Sequence, residues 1–159
     1  MSNALSQSAQ RVQDALRQLG LSCEVVELPE SSRTAPEAAA AIGCQVEQIV
    51  KSLVFRTRHS QKPILIVASG GNRVNERMIA EILGEPIERA DAEWVRERTG
   101  YAIGGVPPLA HHEPLETIVD EDLLRYDEIW AAAGTPRSVF RLTPAELQLI
   151  TRGRVARIT

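Results

Sequence analysis

The sequence predicts a mixed α/β fold in which helices pack outside a mixed β-sheet. Helical and strand patterns intermingle along the chain without a regular βαβ repeat, which argues against a doubly wound parallel sheet. Two Thr-x-x-Glu capping boxes, at Thr34 and Thr143, mark the starts of two helices. With 159 residues, 43% of them hydrophobic, the chain can form one core, so a single domain over residues 1–159 is expected.

The chain begins with a predicted helix, strand and helix. Residues 9–19 carry apolar side chains at helical spacing and are followed by Gly20, a residue typical of the position just after a helix. Residues 22–28 then have the character of a strand. An alanine-rich helix over residues 36–42 ends at Gly43.

A β-hairpin is predicted next. Residues 49–57 and 64–68 are β-branched runs, and the polar segment 58–63 between them ends in proline. Residues 69–72 have the composition of a loop.

The remaining half of the chain continues the mixed pattern. A helix is predicted over residues 75–83 and ends at Gly84, and Asp91 can cap another that runs to residue 98. Pro144 occupies the first position of the last helix. Four further strands are predicted: residues 117–119, 128–132, 138–142 and 154–158.

Composition limits the classes of partner. The net charge of −3 argues against broad nucleic-acid binding, DNA included, although contact with one nucleotide end is compatible with it. No apolar run approaches the roughly 18 residues that span a bilayer, and no secretory signal is recognised, so a cytoplasmic location is expected. Cys23 and Cys44 lack metal-ligand spacing, and no metal or other cofactor is expected.

Lys51 is the residue that most needs an explanation, because it is the one charge within the apolar run 49–55. An unpaired buried charge costs several kcal/mol. In general, a strand lysine more often extends its ammonium into water along an apolar surface. The alternative is a lysine in a cleft, where three donors on a flexible stem bind an anion or a carbonyl.

Gly104-Gly105-Val106-Pro107-Pro108 has the composition of a binding loop. Its glycines let the backbone approach a ligand, and its prolines hold the chain rigid. A tight structural turn would have the same composition.

The sequence contains no convincing catalytic triad. Ser52 and Ser138 lack a Gly-x-Ser-x-Gly context, which disfavours covalent catalysis. His111 follows the glycine–proline loop and could orient a water molecule or bind a ribose, although a histidine in a polar loop is more often inert.

Three segments, taken together, resemble the YbaK/ProX family, the free-standing relatives of the editing domain of bacterial prolyl-tRNA synthetase. They are residues 48–55, the Gly-x-x-x-Pro segment from Gly104 to Pro108, and Trp130-Ala131-Ala132-Ala133-Gly134. The resemblance extends over about residues 11–158. It implies a partly barrel-like mixed sheet surrounded by helices.

The resemblance also implies an activity. A member of this family is expected to hydrolyse the ester that joins a wrongly attached amino acid to the terminal adenosine of tRNA. By position, Lys51 matches the essential lysine of the family, and Gly104 and Pro108 match the ends of its Gly-x-x-x-Pro loop. We therefore expect two groups of site residues: the catalytic residues Lys51, Gly104, Gly105 and Pro108, and the substrate-binding residues Val106, Pro107, His111 and Gly134. Mischarged tRNA is the implied partner, with an aminoacyl-tRNA synthetase as a second candidate.

Two other functions stay open at this stage. One is a module that binds tRNA or a synthetase without hydrolysing anything. The other is an unrelated hydrolase of small esters that uses the same pocket. The presence of Lys51 together with the loop from Gly104 to Pro108 favours the deacylase.

Overall fold

The strands belong to one mixed sheet in the computed structural model, which describes residues 5–29, 32 and 34–159. The strands are β1 (Val25–Glu27), β2 (Ile49–Thr57), β3 (Pro63–Ser69), β4 (Ile87–Arg89), β5 (Glu116–Asp120), β6 (Ile129–Ala132), β7 (Ser138–Leu142) and β8 (Arg154–Ala156). The α-helices are α1 (Gln7–Gln18), α2 (Ala35–Ile42), α3 (Glu76–Leu83), α4 (Ala92–Thr99) and α5 (Pro144–Thr151). Short 3₁₀ helices cover Val46–Gln48 and Glu121–Arg125.

The order of the strands is β1-β7-β6-β2-β3-β5-β8, and β4 pairs with β2 outside this path. The contacts of β2 with β6, β3 with β5 and β5 with β8 are parallel, and the others are antiparallel. The predicted mixed sheet with helices outside it is therefore confirmed. The hairpin is confirmed as well, since β2 and β3 pair from Val50↔Ser69 to Arg56↔Pro63.

Both capping boxes form as the sequence predicts. The Thr34 hydroxyl accepts from the Glu37 amide at 3.3 Å, and the Glu37 carboxylate accepts from the Thr34 amide at 3.1 Å. Thr143 and Glu146 make the same pair of bonds at 3.1 and 2.8 Å. Each box satisfies two amides that the first turn of a helix leaves unpaired, so these helix starts are fixed locally.

The core lies on both faces of β3, which explains why residues 63–68 of this strand are all apolar. Leu65 and Val67 pack on one face with residues of α1, and Ile64, Ile66 and Ala68 pack on the other with residues of α3. Because neither face of such a strand meets solvent, its sequence does not alternate between apolar and polar residues. Among the described helices, none is long and apolar enough to span a bilayer.

The prediction for residues 22–28 was too long. Only Val25–Glu27 pairs as a strand, because the side chain of Gln13 on α1 binds the preceding backbone. Its amide donates to the Cys23 carbonyl at 3.0 Å, and its carbonyl accepts from the Val25 amide at 2.9 Å. The strand β4 was not predicted, because three residues with one apolar side chain give no detectable period.

Replacing Leu65 tests the central position of β3. Leu65 is fully buried, so we expect Leu65→Ala to lower the free energy of unfolding by about 2 to 5 kcal/mol. Leu149→Ala is the matched control, since Leu149 on α5 is 50% exposed and its loss should change stability by less than about 0.5 kcal/mol. Chemical denaturation measures both values, and equal losses would contradict this description of the core.

Candidate active-site cleft

A concave site lies beside β2, along an edge that the described strands leave partly unpaired. On that edge, β6 pairs with Ile49 and Val50, and β4 pairs with Phe55, Arg56 and Thr57. No strand of the described chain covers residues 51–54 between them. A cleft of about 560 Å³ opens at this gap.

The walls of the cleft are mainly apolar, with few polar side chains among them. Apolar side chains from several elements contribute: Ala35, Phe55, Val106, Trp130, Ala132 and Val139. Lys51, Ser52 and Arg89 add polar groups. A cleft of this kind suits a ligand with an apolar part and a few hydrogen-bonding or anionic groups.

Lys51 is held in place by a network that starts at a buried carboxylate. Its ammonium donates to the Asn72 carbonyl at 2.8 Å. The side-chain amide of Asn72 donates to Asp120 and to Asp122, both at 2.8 Å. Asp120 also accepts from the Ser69 amide at 3.0 Å, so its charge is well supplied with donors although it is 1% exposed.

The surroundings of Lys51 shift its acid–base equilibrium. Burial lowers the pKa of Lys51 below 10.5, and the nearby positive charge of Arg73 lowers it further. The negative charge of Asp120 acts in the opposite direction and raises the pKa. An ammonium has three donors, and the bond to the Asn72 backbone carbonyl uses one of them.

The loop from Gly104 to Pro108 divides into a part that lines the cleft and a part that supports it. Gly104 and Val106 line the cleft, and Gly104 has a φ of 92°. Gly105 faces away: a Cβ there would lie 2.7 Å from the Cα atom of Thr135. Pro107 and Pro108 are buried.

Gly134 connects this loop to the N-terminal helix. Its amide donates to the Gly105 carbonyl at 2.9 Å, and its φ is 97°. A Cβ at Gly134 would lie 2.7 Å from the carbonyl oxygen of Ser8 on α1. Gly134 is therefore placed as a spacer behind the loop, and it is not among the residues that line the cleft.

His111 lies outside the cleft. Together with Pro108 it lines a second cavity of about 350 Å³. Its Nε2 atom is 2.6 Å from the Pro107 carbonyl, and burial lowers the pKa of the imidazole. The structure thus places His111 against the back of the loop, where it can support the loop but does not face the cleft.

Three further polar side chains have surroundings that disfavour a catalytic role. Ser138 is buried and bonds Thr135 at 2.6 Å. Burial, followed by the charge of Glu146, raises the pKa of the Cys23 thiol to about 11, which disfavours a thiolate. Asp91 caps α4 through the Trp94 amide at 2.8 Å, as predicted. Among the described residues no three His, Cys, Asp or Glu side chains cluster as metal ligands would.

Sequence reasoning missed three residues of this region. Asn72 and Asp120 position Lys51, and Arg89 adds a cation to the cleft wall. Asn72 stood in a segment interpreted only as a loop. Asp120 comes directly after the predicted strand 117–119, and nothing in the local sequence indicates that its carboxylate turns inward.

Comparisons with known proteins agree with this architecture. The profile of the family described as "Aminoacyl-tRNA editing domain" matches residues 29–150. The uncharacterized protein YwhH of Bacillus subtilis (strain 168) is 35% identical over 133 residues, 83% of this chain and 83% of that protein. Proline–tRNA ligase of Limosilactobacillus fermentum is 29% identical over 112 residues, which are 67% of this chain and 20% of that enzyme.

A solved structure is similar over nearly the whole chain. It is the crystal structure of "a putative trans-editing enzyme for prolyl tRNA synthetase", with 51% identity and a TM-score of 0.94. The match covers 98% of this chain and 99% of the other. The chain belongs to the aminoacyl-tRNA editing domain family, which confirms the resemblance seen in the sequence.

The acid–base behaviour of Lys51 can be measured directly. The chain has two lysines, Lys51 and Lys62, so Lys62→Arg leaves one lysine side-chain NMR signal. We expect Lys51 to titrate below 10.5, and Arg73→Gln to raise its midpoint by removing a like charge. A midpoint at or above 10.5, unchanged by Arg73→Gln, would contradict this description.

The sign of the linked effect on stability follows from the lowered pKa. Between the folded-state pKa and 10.5, the unfolded chain binds more protons at Lys51 than the folded chain does. The free energy of unfolding of the wild type, relative to Lys51→Met, should therefore rise with pH through that window. Denaturation of both proteins across the window measures it.

Proposed function

We propose that this protein is a trans-acting aminoacyl-tRNA deacylase that hydrolyses the ester of mischarged tRNA in the β2 cleft. The observation that carries the proposal is the Lys51 ammonium, fixed by Asn72 at an otherwise mainly apolar cleft in a chain of the editing family. Mischarged tRNA is the proposed substrate. An aminoacyl-tRNA synthetase is the second proposed partner, supported by the similarity to part of a proline–tRNA ligase.

In this proposal Lys51 binds the phosphate or ribose at the terminal adenosine. Its remaining donors suit an anionic oxygen, and the bond to Asn72 limits the positions that the ammonium can reach. The backbone at Gly104 lies against the aminoacyl group. Hydrolysis then adds a water hydroxyl to the ester carbonyl carbon, breaks the bond to the ribose oxygen, and delivers a proton to that oxygen.

No side-chain nucleophile is needed for this reaction. A positioned water molecule, with amide or ammonium donors near the developing oxyanion, supplies what ester hydrolysis requires. The hydroxyls of the ribose can assist as part of the substrate. Apolar walls would select the amino acid by size, with about 1 to 3 kcal/mol of discrimination for each methylene.

Lys51→Ala tests the catalytic part of the proposal. We expect deacylation of mischarged tRNA to fall at least about 100-fold, because a positioned charge in the site is lost. Stability should change by less than about 1 kcal/mol, since the removed charge is partly desolvated in the folded protein. Lys62→Ala, in the exposed hairpin turn, is the matched control and should keep full activity.

Three results would count against the deacylase proposal. Wild-type turnover in Lys51→Ala would remove the lysine from the mechanism. Binding of tRNA without hydrolysis by the wild-type protein would favour the non-catalytic module. Equal rates on tRNA and on a free amino-acid ester would favour a general small-ester hydrolase.

A pair of glycine variants tests the loop. Gly104 and Gly84 have φ values of 92° and 82°, and at neither would a Cβ meet an atom closer than 3.9 Å. Gly104→Ala and Gly84→Ala should therefore lose similar stability, about 1 kcal/mol each, from the left-handed backbone. Only Gly104 lines the cleft, so we expect only Gly104→Ala to lose turnover.

Activity per folded molecule separates the two effects. The folded fraction of each variant comes from its melting curve, and initial deacylation rates are divided by it. Normal specific activity in Gly104→Ala would reduce this loop to a structural turn.

A further inference from the structure

Successive residues of β2 direct their backbone N–H and C=O groups toward opposite edges of the strand. At one end of the hairpin the Gly70 amide donates to the Ile49 carbonyl at 2.6 Å. At the other end the Thr57 amide donates to the Lys62 carbonyl at 2.9 Å. The register is unbroken between these bonds, so the odd-numbered residues of β2 direct their backbone groups toward β3.

The even-numbered residues of β2 face the opposite edge. The Arg58 amide just beyond the strand shows this, since it donates to the Pro86 carbonyl beside β4 at 2.8 Å. Ser52 and Val54 therefore face the gap between β6 and β4. The Ser52 carbonyl and the Val54 amide are adjacent groups of opposite kind on this edge, and both residues line the cleft.

Backbone groups left unpaired at an apolar cleft bind water or a ligand, because burying them without a partner is costly. The open stretch is short: residues 51–54 extend over about 13 Å at 3.3 Å per residue. Both ends are closed by paired strands. A long peptide strand cannot lie along this edge, whereas a compact planar group with a donor beside an acceptor can.

We propose that the Ser52 carbonyl and the Val54 amide bind the Watson–Crick edge of the terminal adenine. The carbonyl accepts from the adenine 6-amino group, and the amide donates to the adenine N1 atom. Apolar side chains of the cleft, among them Phe55 and Trp130, cover the rest of the base. This inference rests on the proposed deacylase function, and it assigns the base-reading element of the same cleft.

Terminal-base variants of the substrate test the inference. Chemically aminoacylated minihelices end in adenosine, inosine or 7-deazaadenosine. Inosine reverses both groups, presenting a carbonyl to Ser52 and an N–H to Val54, so we expect kcat/KM to fall tenfold or more. The matched control, 7-deazaadenosine, keeps N1 and the amino group and should react within twofold of adenosine. Equal rates with inosine and adenosine would overturn the inference.

A binding measurement keeps this test independent of hydrolysis. Adenosine monophosphate is titrated into 15N-labelled protein, with inosine monophosphate as the comparison. We expect the Val54 amide signal to move downfield with the first nucleotide and much less with the second. The amides of Leu53 and Phe55 bond to β3 and should move less, as internal controls.

The two proposals fail in different ways. If no minihelix is hydrolysed but the Val54 signal responds to the adenine nucleotide, the deacylase function is overturned and base reading stands. If hydrolysis proceeds while Val54 responds equally to both nucleotides, or to neither, base reading is overturned and the deacylase function stands.

Discussion

The division of one edge of β2 between two strands is the constraint on which the site depends. A strand inside a sheet forms backbone hydrogen bonds along both of its edges. Along one edge of β2, β3 supplies these bonds over the whole strand. On the other edge β6 stops at Val50 and β4 starts at Phe55. The four residues between them include Lys51, so the same gap that opens the cleft also brings the lysine to it.

Holding Lys51 there requires a chain of polar groups that extends into the core. Asp120 is buried, and a buried carboxylate is tolerated only when donors surround it. The Ser69 amide and the Asn72 side chain supply them, and they tie the loop after β3 to the end of β5. The Asn72 carbonyl is then fixed in position to receive the ammonium. The isolated charge in the sequence is therefore not isolated in the fold.

What the sequence predicts well is local. Capping boxes, glycines after helices and the β2–β3 hairpin all depend on residues close together in the chain, and each is confirmed. The partners of β2 on its other edge are distant: β6 pairs with it from about 80 residues away, and no local pattern indicates that contact. The same limitation applies to Asp120, whose role appears only when β3 and β5 are adjacent.

The position of His111 shows that even a neighbour in sequence can be placed differently from what the sequence suggests. Closeness in sequence to the loop suggested a place in the cleft, yet the loop has two sides. Gly104 and Val106 face the cleft, while the Pro107 carbonyl points to His111 on the other side. Closeness in sequence cannot distinguish these sides, because neighbouring residues of the loop face opposite ways: Gly105 lies against Thr135, between two residues that face the cleft.

The two sides of the cleft are built by different means, so they should differ in how well they tolerate substitution. The side of Lys51 belongs to a continuous hydrogen-bonded ladder and is supported by a buried polar network, in which a change of Asn72 or Asp120 leaves a polar partner unpaired. The opposite side is formed by side chains such as Val106 and Val139, together with a loop seated closely on Thr135. Apolar side chains can be exchanged for others of different size without unpairing a polar group. Lys51 and the backbone of β2 are therefore the fixed elements of the site, and the apolar wall is the part that can change.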